Sequence, residues 1–134
     1  MLHGINVLVT EDDKLNQKII SFMLLKKGAT VKLANNGHEA IEMMGREKFD
    51  IILMDLQMPV MDGFATTQYI RKSMNSDIPV IALTADAFAN ESDEYIEAGM
   101  NACTSKPIEV RVLCDLILSL TKENQDKHLL KPFA

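Results

Sequence analysis

Three acidic residues stand in a row at Glu11, Asp12 and Asp13, directly after a compact apolar run, Asn6 to Thr10. Asp55 closes a second such run, Asp50 to Met54, a third ends at Thr84, and a short fourth leads into Lys106 and Pro107. Clustered carboxylates repel and raise one another's pKa unless a cation sits among them. A hard divalent ion, Mg²⁺ or Mn²⁺, suits oxygen ligands of this kind. With Glu11, Asp12 and Asp55 ionised, one dication together with Lys106 neutralises the group and prepares it for an incoming anion such as a phosphoryl group. A carboxylate is already a competent nucleophile at pH 7 and forms an aspartyl phosphate on attacking phosphorus. Asp55 is the expected nucleophile, because it ends a central strand and the loop behind it is rich in turn formers. Lys106 and the metal would offset charge on the equatorial oxygens while Thr84 donates a hydrogen bond. Taken singly these residues are ordinary: an acid pair favours a helix N-terminus, a threonine ends many strands, and Lys-Pro marks a turn. Their arrival together at one edge of a sheet is what singles them out.

The elements that would bring them there alternate along the chain. Strands are expected at Asn6–Thr10, Thr30–Ala34, Asp50–Met54, Pro79–Thr84 and Ala102–Ser105. Helices are expected at Lys14–Lys27, Glu39–Glu47, about Phe64–Met74, about Asn90–Ala98 and Val110–Thr121. Helical spacing puts Leu15, Ile19, Phe22 and Met23 on one face of the first helix, with Gly28 as its stop. It puts Ala40, Ile41, Met43 and Met44 partly inward on the second, and Val110, Leu113, Leu116, Ile117 and Leu120 on the buried stripe of the last. Alternation of this kind predicts an α/β fold, a doubly wound five-stranded parallel sheet covered on both faces. The first, third and fourth strands, apolar on both sides, belong at its centre, and the functional crevice lies beyond the carboxyl ends of the strands. Residues 122–134 turn polar and read as a frayed helix extension or linker, a C-terminal tail beyond a domain at 1–121, with docking through Leu129, Leu130 and Phe133 as the second reading.

Composition narrows the class. The 134 residues make one domain with a sizeable core, 47% of them hydrophobic. Fourteen basic against nineteen acidic residues leave a formal charge of −5, which argues against direct nucleic-acid binding and against anionic membranes. No apolar run approaches the roughly 18–20 residues of a membrane span, and the N-terminus does not read as a signal peptide. Cys103 and Cys114 form no metal-spaced or CxxC pair, so a reduced, cytoplasmic setting is expected. His3, His38 and His128 are scattered, with no metal spacing.

At this point the sequence resembles the receiver (response regulator) domain of two-component signalling. The resemblance is carried by VLVTEDD at 7–13, ILMDLQMPVMDG at 52–63, PVIALTA at 79–85 and GMNACTSKP at 99–107, and it covers residues 5 to about 121. It implies the flavodoxin-like (βα)5 receiver fold with strand order 2-1-3-4-5. Asp55 then resembles the phospho-acceptor, Asp12 the direct Mg²⁺ ligand and Glu11 the second acid. The backbone carbonyl of Gln57 would be a further ligand, Thr84 the switch hydroxyl and Lys106 the lysine that pairs with the phosphoryl group. The acid pair is taken as Glu11 and Asp12, leaving Asp13 to open the helix. Glu11-Asp12 through Asn16-Gln17, followed by Met54 to Gly63, is most similar to receivers of hybrid sensor histidine kinases.

The implied function is a receiver in a phosphorelay, accepting a phosphoryl group from a histidine kinase or histidine phosphotransfer domain, with self-catalysed transfer and autodephosphorylation, and changing its partner-binding surface. A weak homodimer is a further expectation. Gln57 and Asp86 resemble the pair that tunes hydrolytic water. Met58 and Met61 are candidates for facing the partner. One departure stands at Cys103, where receivers carry an aromatic; a thiol there shifts the expected output to movement of the 85–100 segment, and Cys103 itself reads as a small buried hydrophobe. The competing reading is a metal-dependent phosphohydrolase working through an aspartyl phosphate, but Asp55-Leu56-Gln57 lacks the second acid of such enzymes. A flavin- or nucleotide-binding domain fails for want of a glycine-rich phosphate loop.

Overall fold

The computed structural model describes residues 1–85 and 92–129, the side chains of 92, 93 and 127–129 excepted. Among the described residues five strands alternate with five helices: β1 Asn6–Thr10, α1 Lys14–Lys26, β2 Thr30–Ala34, α2 Gly37–Arg46, β3 Ile51–Asp55, α3 Gly63–Lys72, β4 Val80–Thr84, α4 Ser92–Ala98, β5 Ala102–Ser105 and α5 Val110–Leu129. All neighbouring strands are parallel, in the order β2-β1-β3-β4-β5. This is the expected doubly wound sheet, with β1, β3 and β4 at its centre.

Local chemistry sets the helix starts. Asp13, Asn36 and Asp62 each hold extended backbone and accept a hydrogen bond from a first-turn N–H, at Leu15, Glu39 and Ala65 respectively. Asp13 is thus spent on opening α1. Gly28, at φ 98°, takes the left-handed turn that lets the chain leave α1 for β2.

Side chains alternate across the sheet and build a core on each face. Val7, Val9, Ile51, Leu53, Ile81 and Leu83 pack against α1 and α5. Leu8, Ile52, Met54, Val80 and Ala82 pack beneath α2 and α3. On α5, Leu113 and Ile117 are fully buried and Val110, Leu116 and Leu120 half-buried, the expected stripe. The helix itself runs to Leu129 rather than stopping at Thr121, because the polar residues 122–129 contain no glycine or proline to end it. The docking reading for Leu130 and Phe133 lies outside the described residues, as does the side chain of Leu129.

The first helix departs from expectation. Its buried residues are Gln17, Ile20 and Leu24. Leu15 and Phe22 are 64% and 68% exposed, and Ile19 and Leu25 also face solvent. The cause is compositional: α1 carries apolar residues all round, so periodicity alone did not give its phase. The cap at Asp13 and the short turn from β1 did.

Among the described residues no helix is long and apolar enough to cross a membrane.

Candidate functional site

The chain leaves β1 for β2 on one side of the sheet and returns to place β3 on the other, so a crevice opens between the carboxyl ends of β1 and β3. The register pairs Thr10 with Met54. The next residues, Glu11 and Asp55, therefore emerge side by side. Oxygens of Glu11, Asp12 and Asp55 lie within 4.8 Å of one another, the arrangement inferred from the strand ends. Glu11 and Asp55 are buried, whereas Asp12 reaches solvent.

Lys106 closes the cluster from the end of β5. Its Nζ lies 3.2 Å from Glu11 Oε1 and 3.2 Å from Asp55 Oδ2. The loop behind Asp55 is held tightly: Gln57 N–H donates to Asp55 Oδ1 at 3.1 Å, and Leu56 N–H donates to the Leu83 carbonyl. Gly63 permits that packing, since a Cβ there would stand 2.5 Å from the Asp55 carbonyl oxygen.

One ammonium does not balance three carboxylates. Burial, followed by the proximity of Asp55, raises the Glu11 pKa above the usual glutamate value, against the opposing pull of Lys106. Partial desolvation and then Glu11 raise that of Asp12. Burial alone would lower the Lys106 pKa, but Asp55 and Glu11 outweigh it and the net shift is upward. A crevice with oxygen donors and residual negative charge fits a hard divalent cation.

Thr84 sits buried at the end of β4, the strand between those that deliver Asp55 and Lys106. The Lys106 N–H donates to the Thr84 carbonyl at 2.8 Å. Gln57 keeps its side chain exposed. Asp86 lies outside the described residues, as do 87–91 of the 85–100 segment. Cys103 is half-buried and packs on the α2–α3 face of the sheet. Cys114 is core.

Met58 is 8% exposed and packs into the core, and Met61 is half-buried; the apolar residue that the loop exposes most is Val60, at 92%. His3 packs against Gly28 and His38 is exposed, both away from the acid cluster. The side chain of His128 lies outside the described residues.

The structure adds one residue that strand-end reading missed. Gln17, on the inner face of α1, donates to the Glu11 carbonyl at 2.5 Å. Its signal was its spacing, three and seven positions before Ile20 and Leu24, legible only once the phase of α1 is known.

Comparison with known proteins agrees with this geometry. The family model of the response regulator receiver domain matches residues 7–118. Sensor histidine kinase RcsC of Escherichia coli (strain K12) is 37% identical over 107 residues, covering 80% of this chain and 11% of that protein. The chain thus spans about a tenth of the length of that relative. The receiver domain of sensor histidine kinase PA1611 from Pseudomonas aeruginosa PAO1, solved with a magnesium ion coordinated in its active site cleft, superposes with a TM-score of 0.80 at 34% identity, covering 89% of this chain and 98% of that one. The Saccharomyces cerevisiae complex of the histidine phosphotransfer protein Ypd1 with the receiver domain of Ssk1 gives a TM-score of 0.84 at 29% identity, covering 92% and 93%. Fold, sheet order and a sequence match across most of the chain coincide: this chain belongs to the response regulator receiver domain family.

Proposed function

We propose that this receiver accepts a phosphoryl group on Asp55 from a phosphohistidine of a histidine kinase or phosphotransfer protein, as one step of a phosphorelay. The observation that carries the reading is the convergence of the Glu11, Asp12 and Asp55 carboxylates within 4.8 Å, with Lys106 3.2 Å from two of them. A magnesium ion in the cleft of the similar PA1611 receiver supports the same use of these acids. Asp12, Asp55 and the Gln57 carbonyl would hold Mg²⁺ directly, with Glu11 as the second acid. The ion supplies Lewis-acid stabilisation of charge on the transferring phosphoryl oxygens.

The protein's own groups do the rest. An Asp55 carboxylate oxygen attacks phosphorus in line and forms the O–P bond. The N–P bond of the partner breaks, and its electron pair remains on the imidazole, which leaves neutral if its other nitrogen carries a proton. Lys106, already between Asp55 and Glu11, stays with the added negative charge. The Thr84 hydroxyl turns to donate to a phosphoryl oxygen, biasing the loops after β4 and β5 between two arrangements. Water later cleaves the acyl phosphate, at a rate set in part by Gln57.

Location in the cytoplasm, and membership of a longer hybrid kinase, belong to the same proposal. The second is supported by the match to a tenth of RcsC. The phosphohydrolase reading is weaker, since buried Leu56 and then Gln57 follow Asp55 where a second acid would be needed.

Incubation of the chain with Mg²⁺ and acetyl phosphate, and separately with a phosphorylated histidine phosphotransfer protein, tests the proposal by intact mass. One phosphoryl adduct, absent in Asp55→Asn and in EDTA, is expected. No adduct from either donor overturns it.

A further inference from the structure

Outside the acid cluster, a hydrogen-bonded network among the described residues runs through the buried Gln17. Its side chain is 4% exposed, and Nε2 donates both to the Glu11 carbonyl at 2.5 Å and to Asn35 Oδ1 at 2.8 Å. Asn35 Oδ1 also accepts from Lys14 Nζ at 2.5 Å. The Asn35 backbone N–H and Nδ2 donate in turn to Glu39 Oε1 at 3.2 and 3.0 Å. The Glu39 N–H is itself bound by Asn36 Oδ1 at the start of α2. Every link in this chain is anchored in a helix or a strand end.

Its terminus is the peptide between Glu11 and Asp12. The Glu11 N–H donates to the Ala34 carbonyl at 3.0 Å, and its carbonyl accepts from Gln17. A carbonyl and the following N–H share one rigid plane. Holding the Glu11 oxygen therefore fixes that plane and with it the position of the Asp12 Cα, the point from which its side chain reaches the cluster. Some tie is needed there, because the carboxylates gathered around Asp55 repel and the loop after β1 would otherwise swing Asp12 outward.

We propose that Gln17 is a positioning residue for the cation site: by clamping the Glu11–Asp12 peptide against the Asn35–Glu39 network, it holds the acids converged before any ion arrives. This rests on the reading that Glu11, Asp12 and Asp55 take a divalent cation. Its consequence is preorganisation. The energy of keeping like charges together is met by folding rather than by binding, so loss of the clamp weakens the ion's affinity while leaving every ligand in place.

The test measures Mn²⁺ binding by electron paramagnetic resonance of the free ion, on the full chain and on Gln17→Met, Asn35→Ala and Asp12→Asn. Gln17→Met keeps length and apolar volume but removes the donor. Its affinity is expected to fall by about tenfold to a hundredfold, the usual effect of losing a group that orients a metal ligand. Asn35→Ala is expected to weaken binding several-fold, and Gln17→Met phosphorylation by acetyl phosphate to recover once the metal is saturating. In EDTA, the Asp12 amide signal in nitrogen-15 spectra should shift in Gln17→Met while those of β3 hold.

Unchanged Mn²⁺ affinity in folded Gln17→Met overturns the proposal, even if its melting temperature falls, because Gln17 would then be only structural. Should Gln17→Met not fold, unchanged affinity in Asn35→Ala overturns it. Failure of the unsubstituted chain to bind Mn²⁺ overturns the cation reading itself and the clamp's proposed purpose with it, whereas binding lost in Asp12→Asn and kept in Gln17→Met removes the clamp alone.

Discussion

Lys106 Nζ lies 3.2 Å from Asp55 Oδ2 although the strands that deliver them are not neighbours; β4, ending in Thr84, runs between them. The lysine thus bridges over the end of β4. Lys106 is thereby tied to both strand ends, its backbone N–H to the Thr84 carbonyl and its ammonium to Asp55.

Replacing that cation leaves two buried carboxylates facing each other. Lys106→Met is expected to destabilise the metal-free protein by about 1–2 kcal/mol, below the usual cost of breaking a buried pair because the lysine is a quarter exposed. Its folded pKa lies above the ordinary 10.5. The stabilisation is therefore complete below that value and is lost as pH rises through the raised folded pKa. Urea unfolding in EDTA between neutral and strongly alkaline pH checks both the size and the window.

Glu11 titrates in the opposite sense. Burial, then Asp55, raises its pKa above 4.5 in the folded state, so the folded protein holds the proton more tightly than the unfolded chain. Stability without metal should fall as pH rises from about 4.5 through the raised folded value. Glu11→Gln is expected to melt higher than the unsubstituted protein at pH 7 in EDTA. The difference should vanish once the medium is acidic enough to protonate Glu11 in both states. A lower melting temperature for Glu11→Gln at neutral pH would contradict this.

On the proposed phosphorelay reading, the exposed apolar face of α1 is expected to meet the phosphohistidine donor. Ile19 and Met23 of that helix line a hollow with Pro107 and Ile108, and Lys106 borders the same hollow. Phe22, with Lys26 Nζ 5.8 Å from its ring, lies further along the helix and is exposed. Phe22→Ser is expected to change stability by less than about 0.5 kcal/mol, as for other exposed sites. Transfer from a phosphorylated phosphotransfer protein should slow by about tenfold, the scale of an aromatic interface residue. The rate with acetyl phosphate should not change, and an equal loss with both donors would refute the contact.

Arg71 organises the opposite end of the sheet. Its guanidinium donates to the carbonyls of Gly99, Ser76 and Ile78 and to Asn101 Oδ1, at 2.6–3.0 Å. It thereby ties the end of α3 to the turns that enter β4 and β5. Arg71→Met is expected to cost roughly 3 kcal/mol in urea unfolding, from several charge-assisted bonds lost at once. Arg71→Lys should recover little of it, since an ammonium does not reproduce the planar fork. Phosphorylation of Asp55 should persist wherever the variant remains folded.

The strand ends were legible without coordinates. Five strand-like runs alternating with helical spacing predict a parallel sheet, and a parallel sheet gathers its carboxyl ends at one edge. Glu11, Asp12, Asp55, Thr84 and Lys106 follow from that rule, because strand length and termination are local properties of the chain. Asp13 as a helix cap was legible for the same reason.

The phase of α1 was not. A helix apolar on all sides has no preferred inner face until the cap at Asp13 and the turn from β1 orient it, so Leu15 and Phe22 went outward and Gln17 inward. Nor was the network from Glu39 through Asn35 and Gln17 to Glu11, nor Arg71 with its acceptors. Those partners are far apart in sequence, and hydrogen-bond geometry depends on where whole elements pack. The sequence by itself determined which residues would end each strand; only the tertiary structure decided which groups hold them still, because a hydrogen bond needs both partners placed within a fraction of an ångström.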